Sequence, residues 1–480
     1  MNNLKSVLLI LFVFQFAQAD EGKVDPALIN SPLLVHDIMV YLKDKPSLVG
    51  AQSIIERNSR IQFVRDSLIK TARVSQTGVL ALAQKYGLQY HDFYIENAVA
   101  IYAVPPTLIQ DFGNFPEVQS IRPDTRASLK EIPVFGQRDV ADHLEFINVL
   151  KVWSELKIKG KGIVVGGQDS GVYVEHNALK KQYRGNHAGV FDHNYNWHDA
   201  IRTEHALAPI DDDGHGTHTM GTMVGFDGKD NAIGVAPEAK WIACKNMSHN
   251  VGTISSYLEC FEFMMAPYPI GGDAKRDGRP QLAPHIVNNS WACPTTEGCR
   301  GDELLDAVRA MRKAGIFVVA AAGNNGPNAN TVDAPPATYT HDVFSVGAYN
   351  RYTQDIAIFS SRGPSIFDQG LAPQICAPGE IIHSSVPGSP DQYDDKSGTS
   401  MASPQIAGVV ALIWSAHPEL IGNIEQTIQI LQKSAKPMKT DESGAQTPNN
   451  VFGFGIVDAF AALKLASGSA GAYSGGDQNY

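Results

Sequence analysis

Apolar positions along the chain fall into two regimes, separated by a stretch with no period. In the first, His36 to Lys43 alternates as a half-buried strand does, and Arg60 to Tyr86 repeats apolar residues at helical spacing until Gly87. Phe93 to Val104 reads as a strand pair closed by Pro105-Pro106, Thr107 to Phe112 as a short helix and Val118 to Ile121 as a last strand. Two β-α-β halves on one sheet follow, a small α+β unit over residues 20–130. From Thr125 to Asp142 charged residues and Pro/Gly breaks carry no period. We read this as an exposed linker, its last part 131–142 suited to proteolytic processing.

The second regime runs over residues 143–467. Short apolar runs at Gly162 to Gly166, Trp241 to Lys245, Ile286 to Asn289, Ile316 to Ala321 and Val343 to Gly347 predict strands. Helical patterns lie between them at His215 to Val224, Thr253 to Met265, Asp302 to Ala314 and Thr399 to His417. Buried strands alternating with helices predict an α/β fold, a mainly parallel central sheet covered on both faces. Sites in such sheets lie at the carboxyl ends of the strands. Residues 468–480, rich in Gly and Ser, predict a flexible tail.

Three glycine-rich segments each set a reactive side chain in a turn. In GGQDSG at 166–171, Asp169 follows a strand, so its carboxylate falls at the sheet's carboxyl edge. In DDDGHGTHTMGTMVG at 211–225, His215 stands between two glycines at a helix start, with His218 one turn on. In SGTSMASPQIAGVVALIW at 397–414, Ser400 opens a helix of small residues, with Ser397 and Thr399 free to act as its caps. Each alone has a bland reading, as a turn aspartate, a metal-type His pair or a capping serine. Together they supply what a serine nucleophile needs: a base to take its proton and a carboxylate to fix that base's tautomer. A zinc site on His215 and His218 lacks a third ligand nearby and any HExxH pattern, so we expect no metal in the chemistry.

The net charge of −11 includes no basic block, which argues against nucleic acid. Lys5, the apolar run Val7 to Phe16 and Ala17-Gln18-Ala19 read as a signal peptide over residues 1–19, too short to anchor in a membrane, and predict export. Five cysteines suit that compartment. Cys293 and Cys299 are close enough for a local bridge. A Cys244–Cys260 bridge stays open on spacing alone, and Cys376 reads as a buried free thiol.

The phrases DSG, GHGTH and GTSMASP, in the order Asp, His, Ser, resemble the subtilase family (subtilisin-like serine proteases, peptidase family S8) over about residues 145–467. HNYNW at 193–197, GVAPEAKWIACKNM at 234–247 and NNSWACP at 288–294 resemble its bacillopeptidase F-like branch. The resemblance implies a subtilisin-like three-layer fold and a serine endopeptidase acting on protein or peptide substrates, without a cofactor and as a monomer. Its triad would be Asp169, His215 and Ser400. AAAGNNG at 320–326 resembles the oxyanion segment, which puts Asn324 at the oxyanion hole beside the Ser400 N–H. Ser290, Trp291, Ala292, Ala321, Ala322 and Gly323 resemble the strands of the primary specificity pocket. Asp333, near the pocket floor, would favour basic side chains if it faces inward, against the plainer reading of a turn residue. Residues 20–130 resemble the family's inhibitor-like propeptide. One calcium site of the pattern has Ala178 where a carboxylate belongs, so a structural calcium has no assigned place. Asp211, Asp212 and Asp213 read as a solvated acidic turn rather than a cation site.

Overall fold

A computed structural model describes residues 22–134, 136, 141–229, 231–440 and 444–473. The leader at 1–19 therefore lies outside the described residues.

The N-terminal unit has four strands, β1 (His36–Leu42), β2 (Tyr90–Phe93), β3 (Ala98–Val104) and β4 (Val118–Pro123), in the antiparallel order β2-β3-β1-β4. The long helix expected over Arg60 to Tyr86 is two helices, α1 (Arg57–Ser75) and α2 (Thr77–Lys85). The break has a polar cause that periodicity does not register. The hydroxyls of Ser67, Thr71 and Ser75 bond back to carbonyls four residues earlier. The buried Gln76 amide then donates to the Phe93 and Ala98 carbonyls and to Asn97 Oδ1. α3 (Pro106–Gly113) completes the second β-α-β half.

The large unit is built on an eight-stranded sheet. Its central strands are β6 (Val164–Asp169), flanked by β8 (Lys240–Lys245) and β10 (Ile286–Asn289). β7 (Trp197–Asp199) closes one side; β11 (Phe317–Ala321) and β12 (Phe344–Asn350) extend the other. All of these pairs are parallel, as is that of β12 with β14 (Ile375–Pro378). Only β13 (Asp355–Ile356) runs antiparallel. The strands are buried almost throughout, as a sheet covered on both faces requires. Among the helices are α4 (His215–Val224), α5 (Ile254–Met265), α6 (Leu305–Lys313) and α7 (Thr399–Ala416). α7 is buried on every side from Thr399 to Trp414, as befits a helix inside the core.

Three expectations need correcting. The stretch from Thr125 is not all free linker: β5 (Arg126–Ser128) pairs antiparallel with β9 (Val251–Thr253), and Ala127 is buried. Three residues are too few to show a period. The N-cap of α7 is Gly398, with no side-chain cap. Thr399 is turned to Asn324, and Ser397 Oγ accepts from the Ile381 N–H. The C-terminal helix α8 spans Ala459–Tyr473, taking in the first part of the expected tail. Leu463 and Ala466 pack in the core, and from such an anchored start each further residue adds a hydrogen bond. A hairpin that no periodicity announced, β15 (Ile382–Ser385) with β16 (Tyr393–Lys396), lies just before the serine segment.

The structure joins Cys244 to Cys260 and Cys293 to Cys299, with Cα separations of 5.6 and 5.8 Å. Cys376 is free and buried, and burial pushes its thiol far up from the usual range. The two units share one hydrophobic core, in which Met39, Phe93 and Tyr94 pack with Leu258, Phe261 and Met311. Glu262, near the end of α5, accepts the N–H groups of Tyr94 and Ile95 at 2.5 and 3.3 Å. Glu96 returns the favour, accepting the Ala307 N–H in the first turn of α6 at 2.8 Å.

Candidate active site

Asp169 is the last residue of β6, at the carboxyl edge of the sheet, and His215 the first of α4. His215 Nδ1 lies 2.7 Å from Asp169 Oδ1, and both side chains are almost sealed, at 5 % and 4 % exposure. The same carboxylate accepts the Ser170 N–H at 2.8 Å and the Thr219 hydroxyl at 3.4 Å. Thr219 lies one helical turn beyond His215, a position sequence reasoning passed over. Gly216 lets the segments close: a Cβ there would stand 2.1 Å from the Gly171 carbonyl oxygen and 3.0 Å from Asp169 Cβ.

The acidic turn before His215 is partly exposed, as its composition suggested, but two of its carboxylates are also bonded into the fold. Asp211 accepts from Ser170 Oγ, from Thr217 N and Oγ1, and from the N–H groups of Asp213 and Gly214. It ties the aspartate turn to the histidine helix. Asp212 lies 2.7 Å from the ammonium of Lys245, which is wholly buried. A buried cation needs such a partner, and the pairing draws Asp212 below its usual range although burial opposes it.

Ser400 is the second residue of α7 and 5 % exposed. Its backbone N–H belongs to the first turn, where no intrahelical carbonyl waits for it. Pro404, four residues on, has no N–H for the Ser400 carbonyl. Ser290 Oγ supplies the missing donor at 3.0 Å, braced by Asn288 Nδ2 and Ser403 Oγ. The Ser400 hydroxyl rests on the Ser290 carbonyl at 3.0 Å, and must leave it to reach the imidazole. The sequence singles out Ser290 only as a pocket residue; Pro404, four residues after Ser400, is the signal for its second task.

Asn324 Oδ1 accepts both the N–H and the hydroxyl of Thr399, each at 2.9 Å. A backbone N–H can only donate, so the oxygen must face Thr399, and the NH₂ group is left for the cavity. Asn324 and Ser400 line two adjoining cavities. His215 lines the first, of about 650 Å³, together with Lys396 and Ser397. The second, of about 220 Å³, has Ser290, Trp291, Ala292, Ala321, Gly323 and Asp333 in its wall.

Ala322 does not belong to that wall. It alternates with Ala321 and Gly323 and packs in the core instead. Trp291 borders the cavity, but its buried indole donates to the Gln168 carbonyl and stacks on Tyr257 at 3.9 Å. Asp333 is in the wall, its carboxyl raised by burial and held by Asn325 Nδ2 at 3.2 Å.

His218 is buried with Nε2 on the Ile382 carbonyl at 2.8 Å, and burial, reinforced by Lys396, holds it neutral. Among the described residues no group of three or more His, Cys, Asp or Glu is placed to hold a metal ion. Nor is any described helix long and apolar enough to cross a membrane. Finally, Ser128 to Lys130 of this chain line the smaller cavity and Lys130 to Val134 the larger.

The subtilase family model matches residues 160–455. Bacillopeptidase F of Bacillus subtilis is 37% identical over 408 residues, which cover 81% of this chain and 27% of that protein. Serine protease AprX of the same species is 30% identical, covering 63% of this chain and 66% of the relative. Subtilisin DY of Bacillus licheniformis is 32% identical over 265 residues, 55% of this chain and 80% of the relative. The chain thus spans only about a quarter of bacillopeptidase F. With the matched region covering the central sheet, both glycine-flanked turns and the serine helix, the chain belongs to the subtilase family.

Proposed function

We propose that this chain is a secreted serine endopeptidase, made as a self-processing precursor. Ser400 is the nucleophile, His215 the general base and then acid, Asp169 the group that fixes the imidazole. Asn324 Nδ2 and the Ser400 N–H are the oxyanion donors. The observation that carries the reading is the Asp169–His215 bond at 2.7 Å, with His215, Asn324 and Ser400 around one cavity. Asp169 keeps the proton on Nδ1, so Nε2 is free to take the serine proton. Attack on a substrate carbonyl puts negative charge on its oxygen, and donors already in place stabilise it without reorganising. The acyl-enzyme is then hydrolysed by water. The chemistry asks for no cofactor.

Residues 20–130 are proposed as the propeptide, an inhibitor within the same chain, and residues 1–19 as the export leader. Support for the inhibitor comes from the core shared with α5 and α6, and from its trailing segment, which lines both cavities. Ser400→Ala should abolish peptide hydrolysis and leave the full-length chain uncut, with the fold retained. A fluorophosphonate should label Ser400 of the matured wild-type protein. Rapid loss of activity in EDTA with recovery in zinc would overturn the mechanism.

A further inference from the structure

The segment after β4 borders the site and is held on either side of it by backbone pairing. On one side β5 pairs antiparallel with β9, and the Leu129 N–H donates to the Asn250 carbonyl at 2.8 Å. On the other, Ile132 bridges antiparallel to Ser397, three residues before the serine. Three peptide bonds lie between those anchors. Ser128 and Leu129 line only the cavity of Ser290 and Asp333, whereas Glu131 and Ile132 line only the cavity of His215. Lys130, Asn324 and Ser400 line both, so Lys130 stands where the cavities meet, as Ser400 and Asn324 do. Beyond it, Glu131 lies 3.0 Å from the ammonium of Lys396, the last residue of β16.

We propose that maturation breaks the Lys130–Glu131 bond, and that Lys396 selects an acidic residue immediately after the cleaved bond, in this linker and in substrates. This rests on the precursor reading above. In the step, Ser400 Oγ bonds to the Lys130 carbonyl carbon as its proton passes to His215. The carbon–nitrogen bond to Glu131 breaks, and the departing Glu131 amine takes that proton. Water then hydrolyses the ester, leaving a carboxylate on Lys130 and restoring the Ser400 hydroxyl. His215 lies on the Glu131 side, where the leaving amine needs its proton.

The test begins with N-terminal sequencing and intact mass of the matured full-length chain. Glu131 as the new N-terminus is expected, and any other terminus produced by the chain's own activity overturns the assignment. Lys396→Glu and Glu131→Lys should each slow maturation about fivefold or more, and the double variant should return it to within about twofold of wild type. A double variant as slow as the singles overturns the ion pair as the selector. Matured wild-type enzyme, where folding of a variant is not at issue, is then given quenched peptides with Glu, Ala or Lys after a cleaved Lys. The value of kcat/KM for Glu should exceed that for Ala by about two- to fivefold, with Lys lowest. Equal values overturn the specificity. Cutting of purified Ser400→Ala chain at the same rate as wild type would strike the precursor reading itself, a result distinct from cutting at another bond.

Discussion

Asn324 and Thr399 fix one another: the asparagine oxygen takes both the N–H and the hydroxyl of Thr399 at 2.9 Å, which aims its NH₂ group at the cavity beside Ser400. The amide is thus oriented before any substrate arrives. Asn324→Ala should lower kcat by about a hundredfold or more with KM little changed. Thr399→Val keeps the backbone bond and loses only the hydroxyl, so its loss should stay below about tenfold. Equal losses in steady-state kinetics would show that the amide is not the donor.

Gly216 permits the approach that brings Asp169 and His215 together. An Ala there puts Cβ 2.1 Å from the Gly171 carbonyl, against backbone that cannot swing aside. Gly216→Ala should cost about 1–3 kcal/mol in stability and most of the activity. Thermal melting and peptide hydrolysis check it; wild-type values of both would mean the turns yield more freely than their packing implies.

His91 of β2 faces Glu259 and Glu262 of α5 at 3.5 and 3.7 Å, and we expect this contact to make the hold of the large unit on the N-terminal unit depend on pH. Burial alone would lower the His91 pKa, and Lys275 adds to that, but the two carboxylates outweigh both and raise it to about 9. A free histidine titrates near pH 6.5. The pKa is raised on docking, so the charged pair contributes fully below about pH 6.5 and its contribution disappears as pH rises through about 9. Size-exclusion chromatography of the cleaved protein should find the N-terminal unit retained at pH 6 and increasingly released toward pH 9. His91→Gln should flatten that profile; a profile unchanged by the substitution would assign the pH dependence elsewhere.

Asp333 stands in the wall of the smaller cavity, its carboxyl raised by burial, and if this cavity takes the side chain before the cleaved bond it meets that carboxyl. A peptide library should show Lys or Arg favoured at the cleaved position, and Asp333→Asn should erode that preference about tenfold. A preference for large apolar residues, unchanged in the variant, would leave Asp333 as a turn residue bonded to Asn325.

The α/β architecture is legible in the chain's local patterns, and so is the place of Asp169 at a strand end and of His215 and Ser400 at helix starts. Strand runs such as Ile286 to Asn289 and helices such as His215 to Val224 are local patterns, and their periods are written in consecutive residues. Motif order likewise set Asp169, His215 and Ser400 apart before any coordinate. The remaining features depend on partners far away along the chain. Gln76 breaks a helix because Asn97 and the Phe93 carbonyl wait for its amide. Asp212 carries an ion pair because Lys245 is buried beside it. Ala322 leaves the pocket wall because strand alternation turns it inward, and β5 exists only against β9. Lys396 met Glu131 across 265 positions of sequence, a pairing that composition and periodicity carry no trace of. Hydrophobic period is a property of neighbours in the chain; hydrogen bonds and ion pairs are satisfied by neighbours in space, and only the fold brings those together.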